Sequence, residues 1–178
     1  MFLNSYLNTN SENKELIDGI YEKIIIISRN KNFYETCSVP DTIDGRFDLL
    51  VLFSVITTFF LHRSGTKGKL LSQILFDKIF LDLDLSLREL GAGDAGVHIK
   101  IKNMVKSYMG RQKVYCNSLE KNDFKSLKTH IIKNIYRNVD NYSNSPDLLN
   151  NYCKKIYSLF SKKKDNDFSL NVFEFPDI

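Results

Sequence analysis

From Leu49 to Leu61 the chain is almost wholly apolar, bracketed by Asp48 on one side and His62-Arg63 on the other. About 13 residues make roughly 20 Å of helix, short of the ~20 residues needed to cross a bilayer. The run predicts a helix buried at the centre of a core, with a shallow segment at a membrane surface as the alternative. The rest of the chain must supply the cover, and 178 residues with 43% hydrophobic content suffice for one such core. Eight Gly and three Pro are too few for a β-protein that turns about every ten residues. The expected fold is all-α: one compact domain of about five to six helices over residues 1–164, then a short acidic-aromatic tail over 165–178.

Periodicity predicts the covering helices. Over residues 12–29, Leu16, Ile20, Ile24 and Ile27 share one side and Glu15, Asp18, Glu22 and Arg29 the other, with Ser11 as the N-cap. Residues 30–41 lack periodicity and read as a linker ending in Val39-Pro40-Asp41-Thr42. Ser64–Lys69 reads as a turn, and the helix after it, to Leu90, is apolar all round, as a buried helix should be. Within it Asp77, Asp84 and Arg88 fall in one narrow stripe, and Asp84 and Arg88 are four apart, as in a helical salt bridge. A helix over about 97–121 turns Val97, Ile101, Met104, Tyr108, Tyr115 and Leu119 inward. The next begins near Asp123 and buries Phe124, Leu127, Ile131 and Ile135. The last, about 146–164, turns Leu148, Leu149, Tyr152, Ile156, Leu159 and Phe160 inward and exits through Lys162-Lys163-Lys164. In the tail Phe168, Leu170 and Val172 alternate like a short strand; packing back on the domain is the expectation, a mobile acidic segment the alternative.

The net charge of +4 conceals a polarised chain. Residues 1–98 carry −3, residues 99–164 carry +11 and residues 165–178 carry −4. Lys102, Lys106, Lys113, Lys133 and Arg137 lie opposite the apolar stripes of their helices: either a plain solvated face, or one for an anionic partner such as ribosomal RNA or lipid headgroups. Arg111, at the edge of its stripe, should form an ion pair with a carboxylate such as Asp94. Cys37, Cys116 and Cys153 are odd in number and unpaired in spacing, so they read as free thiols of a reducing, cytoplasmic compartment. The start lacks the basic and apolar regions of a signal peptide.

Catalytic patterns fail on inspection. Gly91-Ala92-Gly93-Asp94-Ala95-Gly96 fits the G-x-G-x-x-G dinucleotide fingerprint. The run before it, however, is Leu-rich and carries acids where a buried parallel strand is continuously apolar. The competing reading is a helix C-cap at Gly91 followed by an N-cap at Asp94. In Ser64–Lys69 only two residues separate the glycines, and Leu70 stands where a P-loop needs Ser or Thr. His62, His98 and His130 have no partner at metal-ligand spacing. No catalytic, cofactor-binding or metal-binding residue is assigned; nucleotide binding at the Gly91–Gly96 loop, or a basic RNA-binding module, are the rival functions.

Val39-Pro40-Asp41-Thr42-Ile43-Asp44-Gly45-Arg46-Phe47-Asp48-Leu49-Leu50 resembles the opening motif of the ubiquinol–cytochrome c chaperone family. The resemblance continues through Phe76-Asp77, Asp82-Leu83-Asp84, Leu87-Arg88-Glu89-Leu90-Gly91, Gly93-Asp94, Gly96-Val97, Lys102, Met104 and Gly110-Arg111, and covers about residues 33–140. Phe53, Ala92 and Met109 depart from the family pattern. The resemblance implies a non-enzymatic helical chaperone, without cofactor, that binds newly made cytochrome b for assembly of respiratory complex III. It also implies a small partner protein, the ribosome or an anionic membrane surface as further contacts, no DNA, and a bacterial protein peripheral to the inner face of the cytoplasmic membrane. Asp41, Thr42, Asp44, Gly45, Arg46, Asp77, Asp84, Arg88, Glu89, Gly91, Gly93, Asp94, Gly110 and Arg111 are then expected either to set helix junctions or to touch the client.

Overall fold

In a computed structural model that describes residues 4–91, 93–137, 139, 142–162 and 167–178, the chain is all-α, with no strand among those residues. Eight helices follow one another: α1 (Asn4–Leu7), α2 (Ser11–Ser28), α3 (Lys31–Glu35), α4 (Ile43–Arg63), α5 (Gly65–Glu89), α6 (Asp94–Glu120), α7 (Phe124–Ile135) and α8 (Ser145–Phe160). Six are long, as periodicity predicts; α1 and α3 are single turns. The stretch read as a plain linker thus contains α3, started by Asn30, whose side chain accepts from the Asn32 N–H at 3.0 Å.

The apolar run is the middle of α4. Leu49, Leu52, Phe53, Val55, Ile56 and Leu61 are wholly buried, and α2, α5, α6, α7 and α8 all pack against this helix. Each such side chain contributes ~1.5–3 kcal/mol by leaving water, so α4 is the largest single source of core stability. No helix among the described residues is long and apolar enough to cross a membrane. The break between α4 and α5 is confined to Ser64 and Gly65, tighter than the six-residue turn read from the sequence. One turn into α5, a Cβ on Gly68 would stand 1.9 Å from the Leu61 carbonyl oxygen, so only glycine lets the two helices meet this closely.

Three further expectations are corrected. Asn10 rather than Ser11 caps α2, accepting from the Asn13 N–H at 3.0 Å. Helix α5 is buried only over its first two-thirds: Leu71, Ile74, Leu75, Ile79 and Phe80 are in the core, whereas Leu85 and Leu90 are 50% and 76% exposed. Its apolar circumference is not wholly covered, because its last turns extend beyond the helices that flank its start. In α8, Leu148 and Leu159 face outward rather than inward.

The tail packs back, but not as a strand: Leu170–Phe173 form a 3-10 turn. Phe173 is wholly buried, with its ring 5.5 Å from that of Phe160, and Phe175 sits 5.8 Å from Phe53. Tyr152 donates to the Pro176 carbonyl at 2.8 Å, and Lys23 donates to the Leu170 carbonyl at 2.8 Å while pairing with Glu174. The alternation of Phe168, Leu170 and Val172 thus gives way to aromatic anchors that fill the gap between α2, α4 and α8. Ala92 and Lys163-Lys164, like residues 165–166 of the tail, lie outside the described residues.

Candidate functional site

The opening motif builds the N-terminus of α4. Thr42 is its N-cap, accepting from the Gly45 N–H at 3.1 Å. A Cβ on Gly45 would lie 1.9 Å from the Pro40 carbonyl oxygen, so the chain enters the helix through a passage that only glycine leaves open. Arg46 reaches back to Asp41 at 2.7 Å in an exposed pair.

One turn further, Asp48 is buried and holds two guanidiniums. Arg111 Nη2 from α6 donates to Oδ1 at 2.6 Å, and Arg137 Nη1, just past α7, donates to Oδ2 at 2.6 Å. Asp44 adds a looser contact to Arg137 at 3.7 Å. Burial pushes the Asp48 carboxyl up from its ordinary value, against the pull of Arg111 and then of Arg137. Arg111 also donates to Ser107 and lies over the Phe47 ring, while its Nε finds no partner. An open hollow of about 530 Å³ lies over the cluster, lined by Pro40, Thr42, Ile43, Asp44, Ile135 and Arg137.

Two expectations change here. Arg111 pairs with Asp48, not Asp94, because α4 and α6 pack against each other and bring residues 63 apart in sequence together. Arg137 does not belong to a free basic face: both Asp48 and Asp44 hold it. Asp48 itself was legible as the bracket of an apolar run and as part of the opening motif, but not as a site residue. An acid at the edge of a buried helix needs a cation from elsewhere, and that was the available signal.

A second charged group joins α5 to α6. Arg88 donates to Asp84 at 2.6 Å and also pairs with Asp94 across the connection. These two carboxylates hold the Arg88 guanidinium above its ordinary value, Asp84 first. Gly91 adopts φ +82, the left-handed C-cap expected of it, while Gly93 rather than Asp94 is the N-cap and Asp94 opens α6. Residues 81–89 are helical, so the strand that a dinucleotide fingerprint requires does not precede the glycines. Glu89 is exposed, and a Cβ on Gly93 or Gly110 would meet nothing within 4 Å. Asp77 stands apart from this group: buried, it accepts from the Ser5 N–H at 3.0 Å and from Gln73 at 2.9 Å, tying α1 to α5.

Lys102, Lys106, Lys113 and Lys133 are exposed and make no ion pair among the described residues. Among those residues no three His, Cys, Asp or Glu side chains come together as metal ligands. The charged groups brought together are carboxylates and guanidiniums paired with one another, between α4, α6 and the end of α7 and across the α5–α6 connection.

A family model described as ubiquinol-cytochrome C chaperone matches residues 35–175. The chain belongs to the ubiquinol-cytochrome c chaperone family. The matched span contains the Asp48 cluster and the Arg88 cluster, and it reaches past the stretch of resemblance into the packed tail. The fold is also that of the Cbp3 homolog from Brucella abortus, with a TM-score of 0.80 at 28% identity over 99% of this chain and 97% of that one. No curated protein matches the sequence. Membership of a chaperone family implies a non-enzymatic role in assembling the cytochrome bc1 complex.

Proposed function

We propose that this protein binds newly made cytochrome b and holds it for assembly into the ubiquinol–cytochrome c reductase complex. The observation that carries the reading is the family match over residues 35–175, which includes both charged helix junctions. In this reading Asp48, Arg111 and Arg137, with Thr42 and Gly45, fix how α4, α6 and α7 meet, while Arg88 with Asp84 and Asp94 spans the α5–α6 connection at the surface. Helices held in this way present a constant surface to a client. The unpaired lysines Lys102, Lys106 and Lys133 support an approach to a polyanionic surface, the ribosome or the anionic inner face of the membrane, where such a client emerges.

The test is affinity purification of the full chain from cells making the subunits of the complex, with immunodetection of cytochrome b. Recovery of cytochrome b above that of an unrelated basic helical protein is the expected result. Its absence, with binding to bulk RNA that falls steeply with salt, would replace this reading by a general RNA-binding one.

A further inference from the structure

A hollow of about 650 Å³ opens between α4, α5 and α6, away from both charged junctions. That volume falls in the range of ligand-sized clefts. Its floor is aromatic: Phe59, Phe76 and Tyr108, with Met109 43% exposed beside them. Tyr108 is wholly buried beneath it, with its hydroxyl beside Thr58, which itself donates to the Val55 carbonyl at 3.1 Å.

The charges at the mouth have one sign. Lys69 on α5 and Lys113 on α6 pair with no carboxylate among the described residues. The one acid in the lining, Glu120, is engaged by Arg63 at 2.9 Å. Aromatic floor and uncompensated cations together describe an occupant with an apolar body and an anionic group. Gln112 and Asn117 on the wall each carry both a donor and an acceptor, which matches a peptide backbone better than an acyl chain.

We infer that this groove receives an acidic, apolar-flanked segment of the client polypeptide. The inference rests on the client reading above and assigns the contact to a surface distinct from the helix junctions. The carboxylate lies between Lys69 and Lys113, and the neighbouring apolar side chain lies over Phe76 and Met109.

The experiment compares cytochrome b recovered by the wild-type chain and by the double variant Lys69→Glu/Lys113→Glu, checked for an unchanged melting temperature. The double reversal should reduce recovery at least roughly tenfold, since like charges would then face the client carboxylate. Recovery within about twofold of wild type overturns the groove and leaves the client reading standing. Failure of the wild type itself to capture cytochrome b overturns both. A parallel flotation with phosphatidylglycerol vesicles tests the other occupant: vesicle binding abolished by the reversal, with cytochrome b recovery unchanged, would make this a lipid site and overturn the proposal.

Discussion

Two clusters of carboxylates and guanidiniums lie in the matched span, and they are opposite in composition and unlike in burial. At the start of α4 one aspartate, Asp48, sits between two arginines, its side chain 2% exposed and that of Arg111 9%. At the α5–α6 elbow one arginine, Arg88, sits between two aspartates, with Arg88 44% and Asp94 89% exposed. The first joins segments 63 and 89 residues apart, the second only neighbours in sequence. Low dielectric around Asp48 strengthens its attractions and makes the loss of any one partner severe, whereas water around Arg88 screens both of its pairs. Burial, not the number of charges, separates a cluster that holds the fold from one that trims a surface.

The largest expected effect tests that contrast directly. Asp48→Ala leaves the Arg111 guanidinium buried without a carboxylate, and urea unfolding should show a loss of about 3–5 kcal/mol with an unchanged slope. Converting the pair together, Asp48→Leu with Arg111→Met, should recover most of that loss; if it does not, the ion pair itself and not the orphaned charge is what matters. Gly45→Ala acts at the same end through shape. Its Cβ would meet the Pro40 carbonyl at 1.9 Å, and a loss of about 1–3 kcal/mol in the same assay is expected from the forced backbone shift.

Cys116 adds a pH-dependent check on how closed the α6 surface is. Burial first, and Glu120 second, hold its thiol up at about 11. The folded protein therefore keeps a proton that the unfolded chain releases at roughly pH 8.5. That contribution to stability is complete below the unfolded value and is lost as pH rises through the folded one. Iodoacetamide should label Cys116 slowly at pH 8 and faster towards pH 11, while the urea-unfolded chain should react readily at pH 8. Equal rates in both states would mean that the thiol is not shielded.

Gly110→Ala should raise stability by about 0.5–1 kcal/mol, since the position is inside α6 and a methyl group meets open space. Should cytochrome b recovery fall at the same time, this glycine serves a contact and not the fold. Last comes Arg88→Met, for which the urea midpoint should not move measurably. A clear shift would erase the distinction between the two clusters.

The helices were legible because their cause is local. The Leu49–Leu61 run marked α4, Asp123 marked the start of α7, and the stripe through Val97, Tyr108, Tyr115 and Leu119 marked the inner face of α6. Asp84 and Arg88, four apart, paired as spacing requires. The errors fell where spacing carries no information. The edge of an apolar stripe calls for a carboxylate beside Arg111, such as Asp94, without saying which, whereas packing of α4 on α6 presents Asp48. Periodicity placed Arg137 on an outer face, yet it lies past the last turn of α7, where Asp48 is within reach. The groove above Tyr108 had no sequence signal: its residues come from α4, α5 and α6, and only the packing of the three helices brings them to one opening.

By itself, then, the sequence determined an all-α chain organised around one apolar helix, its caps, and the membership that the charged motifs carry. Helix periodicity and capping act over three or four residues, and so are written in order along the chain. Tertiary structure decided which acid neutralises Arg111, that the acidic-aromatic tail belongs to the core, and that two lysines share one groove with an aromatic floor. These depend on contacts between segments tens of residues apart, fixed by how side-chain ridges mesh when the helices cross, and no one-dimensional pattern records that geometry.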